Sequence, residues 1–466
     1  MKMWSGRFRQ PLDAEFERWQ RSFPYDQRLL PHELTASRAH AQALRNVGVL
    51  SSEELISILQ GLDQIAALAA NPKFLEDDEA EDVHHFVEKQ LVALIGETGF
   101  KLHSGRSRNE QIATDLRLYV RANIDQLRSY LADWTDALLD RAETAGKAVM
   151  PSYTHLQRAE PVLVSHWLLC YVEMFLRDAE RLEDCRKHSN LCPLGSGPVA
   201  GATLPLDRNA MAAALEFDAP TANSMDATSD RDFVLEFVNT VAVLALHWSR
   251  FAEEMILFST QEFGFVRLPE AYSTGSSAMP QKKNPDLLEL MRGKAARIVG
   301  QANSLMIAVK GLPLAYNKDL QETQEPLFEA TETALAILPM ATGFTRSVEF
   351  DVERMEQAAK TGFLNAWAAA TYLVRQGVPF RLAHEQIGKA VQRCLEKGCE
   401  LEDLSAAELQ SVNPAFGSDF QAALTLQAVL EVHDVAGGTA PTRVRQAIAA
   451  ARKKAAALRE GVHVHA

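Results

Sequence analysis

Two stretches of the chain repeat apolar residues at alternating intervals of three and four. Leu116, Val120, Ile124, Leu127, Leu131, Trp134 and Leu138 recur at spacings of 4, 4, 3, 4, 3 and 4. Val234, Phe237, Val241, Leu244, Trp248, Phe251 and Met255 recur at 3, 4, 3, 4, 3 and 4. A repeat averaging about 3.5 residues keeps apolar side chains on one stripe of an α-helix through many turns, whereas a strand alternates with period two. At a rise of ~1.5 Å per residue each helix is predicted to run about 40 Å or more, and such stripes pack nearly parallel, as in a bundle. Segments 161–188, with Pro161 in the first turn, and 286–310 read as further long helices.

The chain is therefore read as all-α with three domains. A central bundle of long helices spans 106–360. Residues 1–105 hold shorter helices, one opened by Ser51-Ser52-Glu53-Glu54, which has capping-box spacing. Residues 361–466 are Ala-rich and helical, broken at "QGVPF" (376–380) and near "NPAFGS" (413–418). A length of 466 residues is too great for one compact core. The formal charge of −13 and the lack of a long basic run argue against a nucleic-acid partner. They leave an anionic substrate open, because a cationic pocket can sit within an acidic surface. No apolar stretch approaches the roughly 20 residues that span a bilayer, and Met1–Arg7 lacks the apolar core of a signal peptide. The five cysteines form no CxxC pair and are read as reduced thiols of a cytoplasmic protein.

Four stretches interrupt the helical pattern: "HSGRSRNEQ" (103–111), "SYTHLQRAEP" (152–161), "CPLGSGPVAGATLP" (192–205) and "GSSAMPQKKNP" (275–285). Irregular segments between rigid helices are where binding and catalytic groups concentrate. In the last, Gly275 permits a sharp turn, Ser276 and Ser277 offer hydroxyls, and Lys282 and Lys283 bring cations beside Asn284. Such a loop suits clamping an anion; it also suits a solvated connector. The glycines of 192–205 lack the phosphate-loop pattern and read as a tight structural turn. Thr154-His155 lies between a helix ending near Met150 and one starting near Pro161, and a loop histidine is suited either to acid–base work or to plain packing. Arg106, Arg108 and Asn109 open a long helix whose N-terminal amides favour anions. His84-His85 and the terminal His463 and His465 lack company at ligand spacing, so no metal is expected.

Together these stretches carry a resemblance. "GSSAMPQKKNP" resembles the signature loop of the fumarase/aspartase superfamily. "MWSGRF", "HSGRSRNEQIATDLRLY", "SYTHLQRAEPVLVSHW", "NSMDATSDRDFVLEF", "GLPLAYNKDLQETQEPLF" and "YLVRQGVPFRLAHEQIG" resemble the argininosuccinate lyases within it. The resemblance implies a three-domain helical subunit, four of which build a twenty-helix core, with each active site drawn from three subunits. Under it the long apolar stripes are expected to find cover on other subunits. It implies reversible cleavage of argininosuccinate to arginine and fumarate, with no cofactor and no metal. Ser276 would be the base, His155 the acid with Glu289 orienting it, and Lys282 a stabiliser of the dianionic intermediate. Ser22, Arg108, Asn109, Thr154, Asn284, Tyr316, Gln321 and Gln324 match substrate-binding positions, Asn284 also matching an intermediate stabiliser, and Arg231 matches a residue of a nearby loop.

Two positions depart from the family pattern. Gln324, in "LQETQEP", stands where a lysine is common, and Glu110, in "SRNEQ", where aspartate is. Loss of the lysine removes the charge-assisted part of a contact to a substrate carboxylate. That keeps alive a second enzyme reading, a sister C–N lyase acting on another N-substituted aminosuccinate. A third, from another class, is a catalytically silent structural protein such as a lens crystallin; the presence of His155, Ser276, Lys282 and Glu289 speaks against it.

Overall fold

The computed structural model describes residues 10–459. The "MWSGRF" motif, His463 and His465 lie outside the described residues. After the short helices Ala14–Trp19 and Phe23–Asp26, three longer ones lead in: α1 (Leu30–Asn46), α2 (Ser52–Leu68) and α3 (Val83–Ile95). The expected capping box opens α2, with Ser51 Oγ accepting from the Glu54 N–H while the Glu54 carboxylate accepts from the Ser51 N–H. Five long helices follow and pack side by side as the central bundle: α4 (Arg108–Ala145), α5 (Val164–Ser189), α6 (Asp232–Phe258), α7 (Asp286–Val309) and α8 (Gln324–Ser347). Beyond the bundle come α9 (Val352–Ala359), α10 (Phe380–Lys397) and α11 (Pro441–Ala457), with further helices between them, Ala366–Arg375 among them.

Both seams are realised as read. Every one of the 14 residues named above is at most 1% exposed. The indole donors within them are satisfied: Trp134 Nε1 donates to Thr345 Oγ1 at 2.8 Å, and Trp248 Nε1 to the Met291 carbonyl at 3.0 Å. One expectation needs correction. The seams are covered by this chain's own helices and need no other subunit, because α4 packs against α5 and α8, and α6 against α7 and α5, in one continuous apolar core. On the bundle, large apolar side chains left in solvent lie off these seams, among them Leu246 (52% exposed) on α6 and Leu290 (58%) and Ile307 (72%) on α7.

The stretch read as a helix opened by Pro161 starts instead with a ribbon. β1 (Val149–Thr154) pairs antiparallel with β2 (Gln157–Leu163), and α5 begins only at Val164. Pro161 stands opposite Pro151, so the rung that lacks N–H donors is one where neither strand has one to offer. At the adjacent irregularity Ser152 takes over, its Oγ donating to the Glu160 carbonyl and accepting from the Glu160 N–H.

Residues from Ala369 to Leu424 enclose a core of their own around Leu373, Ile387, Phe416 and Phe420. The breaks there fall where the sequence placed them, with Gly377 at φ +89° and Pro379 capping α10. α11 then returns to α4 and α5: Val444, Ala451 and Ala455 join the main core, and Arg452 bridges Asp136 and Glu143 on α4. Among the described residues no helix is long and apolar enough to cross a membrane.

Candidate active site

A cleft of about 250 Å³ opens where the start of α4, the segment before α3 and the turn before α8 meet. Six expected substrate-binding residues line it: Ser22, Arg108, Asn109, Tyr316, Gln321 and Gln324. They come from three segments far apart in sequence. Ser107 caps α4 and Glu110 closes the capping box, which explains why a glutamate serves at position 110: it reaches back to the Ser107 N–H at 3.0 Å. The Gly-rich stretch 192–205 wraps this helix start, with Asn109 Nδ2 donating to the Pro198 carbonyl and the Gly195 and Gly197 amides favouring the ionised Glu110 carboxylate. Gly197, at φ +60°, could not carry a Cβ, which would lie 2.8 Å from the Gly201 carbonyl oxygen. This stretch is the tight turn the sequence suggested.

Acids that the sequence did not single out complete the cleft. Asp26, Glu81 and Asp82 line it, with His84, Lys318 and Gln20. Arg108 is held by Asp82 at 2.7 Å and by Glu81 at 3.2 Å. Ser22 Oγ donates to Asp26 at 2.6 Å, and the Val83 N–H donates to the other Asp26 oxygen at 3.0 Å. Burial, and then the nearby Asp82, pushes the Asp26 carboxyl up to about 7. Gln321 Nε2 donates to the Gln20 carbonyl at 3.2 Å. Gln324, 3% exposed at the start of α8, has an Oε1 with no hydrogen-bond partner among the described residues. Arg231 is buried behind Tyr316, and burial pulls its guanidinium down to about 10.

Beneath the cleft lies a buried polar cluster. His84 Nδ1 meets Glu33 at 3.2 Å and Asp115 at 3.6 Å. The ligating atoms of these three residues fall within 4.8 Å of one another, a spacing that a metal ion would accept. The Arg106 guanidinium already lies 3.5 Å from Glu33, and Ser37 and Gln111 donate to the same carboxylate. Those donors neutralise and occupy Glu33, so the cluster reads as an ion-pair network supporting the floor of the cleft.

The remaining site residues sit on two other elements. Thr154 ends β1 and His155 is the first residue of the β1–β2 tip; both are exposed. Ser276, Lys282 and Asn284 belong to a second ribbon, in which β3 (Thr274–Gly275) pairs with β4 (Lys283–Asn284). Gly275 lies in the strand with open space around it, and the turn is made further on, where Ser276 Oγ accepts from the Ala278 and Met279 N–H groups at 3.3 and 3.0 Å. Lys283 is committed to the Leu268 carbonyl. The Lys282 N–H donates to the Met279 carbonyl at 3.0 Å, while its ammonium has no hydrogen-bond or ion-pair partner among the described residues. Glu289 lies in the first turn of α7 and is exposed. Among the described residues, no hydrogen bond or ion pair joins the cleft, the His155 tip and the Ser276 ribbon within one chain.

Comparison with known proteins bears on the family and the fold. Residues 6–300 match a family model described as lyase, and residues 363–431 one described as the argininosuccinate lyase C-terminal region. The argininosuccinate lyase of Koribacter versatilis (strain Ellin345) is 60% identical over 466 residues, covering 100% of both chains. That of Acidobacterium capsulatum is 58% identical over 97% of this chain and 95% of its own. Among solved structures, EDDS lyase in complex with formate superposes with a TM-score of 0.85 at 27% identity, over 97% of this chain and 92% of its own. A class II fumarase from Schistosoma mansoni shares the fold alone, with a TM-score of 0.72 at 15% identity over 83% of this chain and 90% of its own. On the full-length match and on the two family models, the chain belongs to the argininosuccinate lyase family.

Proposed function

We propose that this carbon–nitrogen lyase works on argininosuccinate through the residues named above, assembled in a homotetramer. The reaction is the reversible elimination of argininosuccinate to L-arginine and fumarate. The observation that carries the assignment of the site is the convergence of six expected binding residues from three distant segments on one cleft.

Elimination removes a proton from the carbon beside a carboxylate, spreads the charge into a dianionic intermediate, and then breaks the C–N bond as the guanidino nitrogen takes a proton. An acid and a base balance these steps without a cofactor. Ser276 is the proposed base. Its hydroxyl is unreactive at its free pKa, but two backbone N–H groups already point at Oγ and favour the anionic form. Lys282 is the cation free to meet the developing charge, with Asn284 beside it, and stabilisation where charge develops is what accelerates the step. His155 protonates the departing nitrogen and Glu289 orients it. Thr154 and the cleft residues Ser22, Arg108, Asn109, Tyr316, Gln321 and Gln324 hold the rest of the substrate.

Among the described residues no hydrogen bond or ion pair joins the tip, the ribbon and the cleft within one chain, and association of subunits is what would bring them together. The exposed Leu246, Leu290 and Ile307 on the bundle favour such association. Free thiols fit a reducing compartment, so the cytoplasm and arginine biosynthesis are the proposed setting. A second reading, turnover of another N-substituted succinate, draws on the neutral Gln324 in the cleft.

Fumarate release from purified protein given argininosuccinate, with N-substituted succinate analogues alongside, tests both readings. Selective release from argininosuccinate is expected; release only from an analogue would favour the second. Ser276→Ala is expected to abolish turnover while helical circular dichroism stays unchanged, and near-normal activity would remove Ser276 as the base.

A further inference from the structure

The β1–β2 ribbon turns on His155 at φ +55° and Leu156 at φ +57°. A two-residue turn with both positions left-handed matches the twist of the flanking strands, and it ordinarily recruits Asn or Gly. Here neither residue is Asn or Gly, and Leu156 is 71% exposed, so burial of its side chain does not compensate within this chain. Strain of this kind persists only where the surroundings over-determine the conformation.

Part of what holds the ribbon is visible in the packing. The Tyr153 ring lies against Phe258 and Phe263, with centroids 5.8 and 5.5 Å away. Beside it, however, the ribbon borders a cavity of about 760 Å³ whose walls include Leu156, Arg158, Arg354 and Thr361. Side-chain packing cannot brace the tip across that space. Arg158, opposite Tyr153 in the register, reaches the far wall instead. Its Nη1 donates to the Ala358 carbonyl at 3.1 Å and to Thr361 Oγ1 at 3.0 Å. The turn it grips is itself fixed from the C-terminal core, since the Gly362 and Phe363 N–H groups donate to the Glu400 carboxylate at 3.0 and 3.2 Å. A run of hydrogen bonds thus leads from Glu400 through residues 358–363 to Arg158, three positions beyond His155.

We propose that Arg158 is a positioning residue for the reaction: a strut that fixes the aim of the His155 tip, anchored on the 358–363 turn. It acts through His155 and touches no reacting atom, so the inference rests on His155 serving as the acid. A misplaced acid costs chemistry while leaving substrate binding in place.

The test compares Arg158→Met, Arg158→Lys, Thr361→Val and His155→Asn as full-length proteins. Arg158→Met is expected to lower kcat on the order of ten- to a hundredfold with KM nearly unchanged. Arg158→Lys should recover part of that loss, and Thr361→Val should show the same split at smaller amplitude. In mixed oligomers Arg158→Met should restore activity when paired with Ser276→Ala and should fail to do so with His155→Asn, because it shares the latter's defect. Wild-type kcat in Arg158→Met, beside an inactive His155→Asn, overturns the strut alone. Full activity in His155→Asn overturns the assignment of the acid and takes the inference with it. If Arg158→Met fails to fold, Thr361→Val decides: a kcat loss at constant KM supports the strut, and a wild-type kcat overturns it.

Discussion

Gln324 shows what a single residue decides in this cleft. It begins α8, is buried, lines a cavity that already holds Asp26, Glu81 and Asp82, and has an Oε1 without a hydrogen-bond partner among the described residues. A lysine there would add a charge-assisted contact to a substrate carboxylate, which is roughly twice as strong as a neutral one. Gln324→Lys is therefore expected to lower KM for argininosuccinate severalfold with little change in kcat, measured by initial rates of fumarate release; an unchanged KM would mean that Gln324 does not face a carboxylate. The acids around it were not legible in the sequence. Asp26, Glu81 and Asp82 resemble any surface acids until folding brings the segment before α3 against Arg108, and the elevation of Asp26 comes from burial that no local pattern records. His40 is a second case. Its Nε2 bonds to the Ser104 carbonyl at 2.9 Å, and burial, reinforced by Arg106, lowers its pKa to about 3. An unfolded histidine titrates near ~6.5, so below that pH the unfolded chain binds a proton that the folded one refuses. Stability from neutral His40 is present above about 6.5 and is lost as pH falls toward 3. In denaturant titrations the advantage of wild type over His40→Gln should shrink across that window, and a constant gap would contradict a neutral buried His40.

At the scale of elements, the long helices were readable because a 3.5-residue repeat survives any loop chemistry around it, and both seams are buried as written. The ribbon at 149–163 was not. Pro161 fits the first turn of a helix as well as it fits a strand position opposite Pro151, and the tip carries His-Leu where a hairpin ordinarily announces itself with Asn-Gly. Left-handed backbone costs an L residue roughly 1–2 kcal/mol. Leu156→Gly removes that cost at a side chain that is largely exposed in the single chain. The expected outcome is a melting temperature equal to or above that of wild type, read by circular dichroism. A clear fall would show that the Leu156 side chain is buried by something beyond this chain, and would itself argue for the tip entering a neighbouring subunit.

For the whole molecule, the dominant fact is that, among the described residues, no hydrogen bond or ion pair ties the proposed cleft, tip and ribbon together within one chain. The resemblance implies sites drawn from several subunits, but the long seams give no reason for it, since they are satisfied within one chain; unpartnered apolar surface on the bundle lies instead at residues such as Leu246, Leu290 and Ile307. If the oligomer builds each site from several subunits, a defect on the tip and a defect on the ribbon need not share a site. Mixing inactive His155→Asn and Ser276→Ala subunits would then create some sites that draw the tip from one variant and the ribbon from the other, both intact. For a tetramer assembled at random from equal amounts, a minority of sites should recover, giving a fraction of wild-type kcat per site at unaltered KM. The readout is fumarate release after the variants are dissociated together and reassembled, with subunit exchange verified by mass. Recovery requires shared sites, because two dead tips or two dead ribbons cannot complement each other. Complete silence in verified mixed oligomers would place His155 and Ser276 of one site on the same chain, and the loops would then have to close on each other within a single subunit.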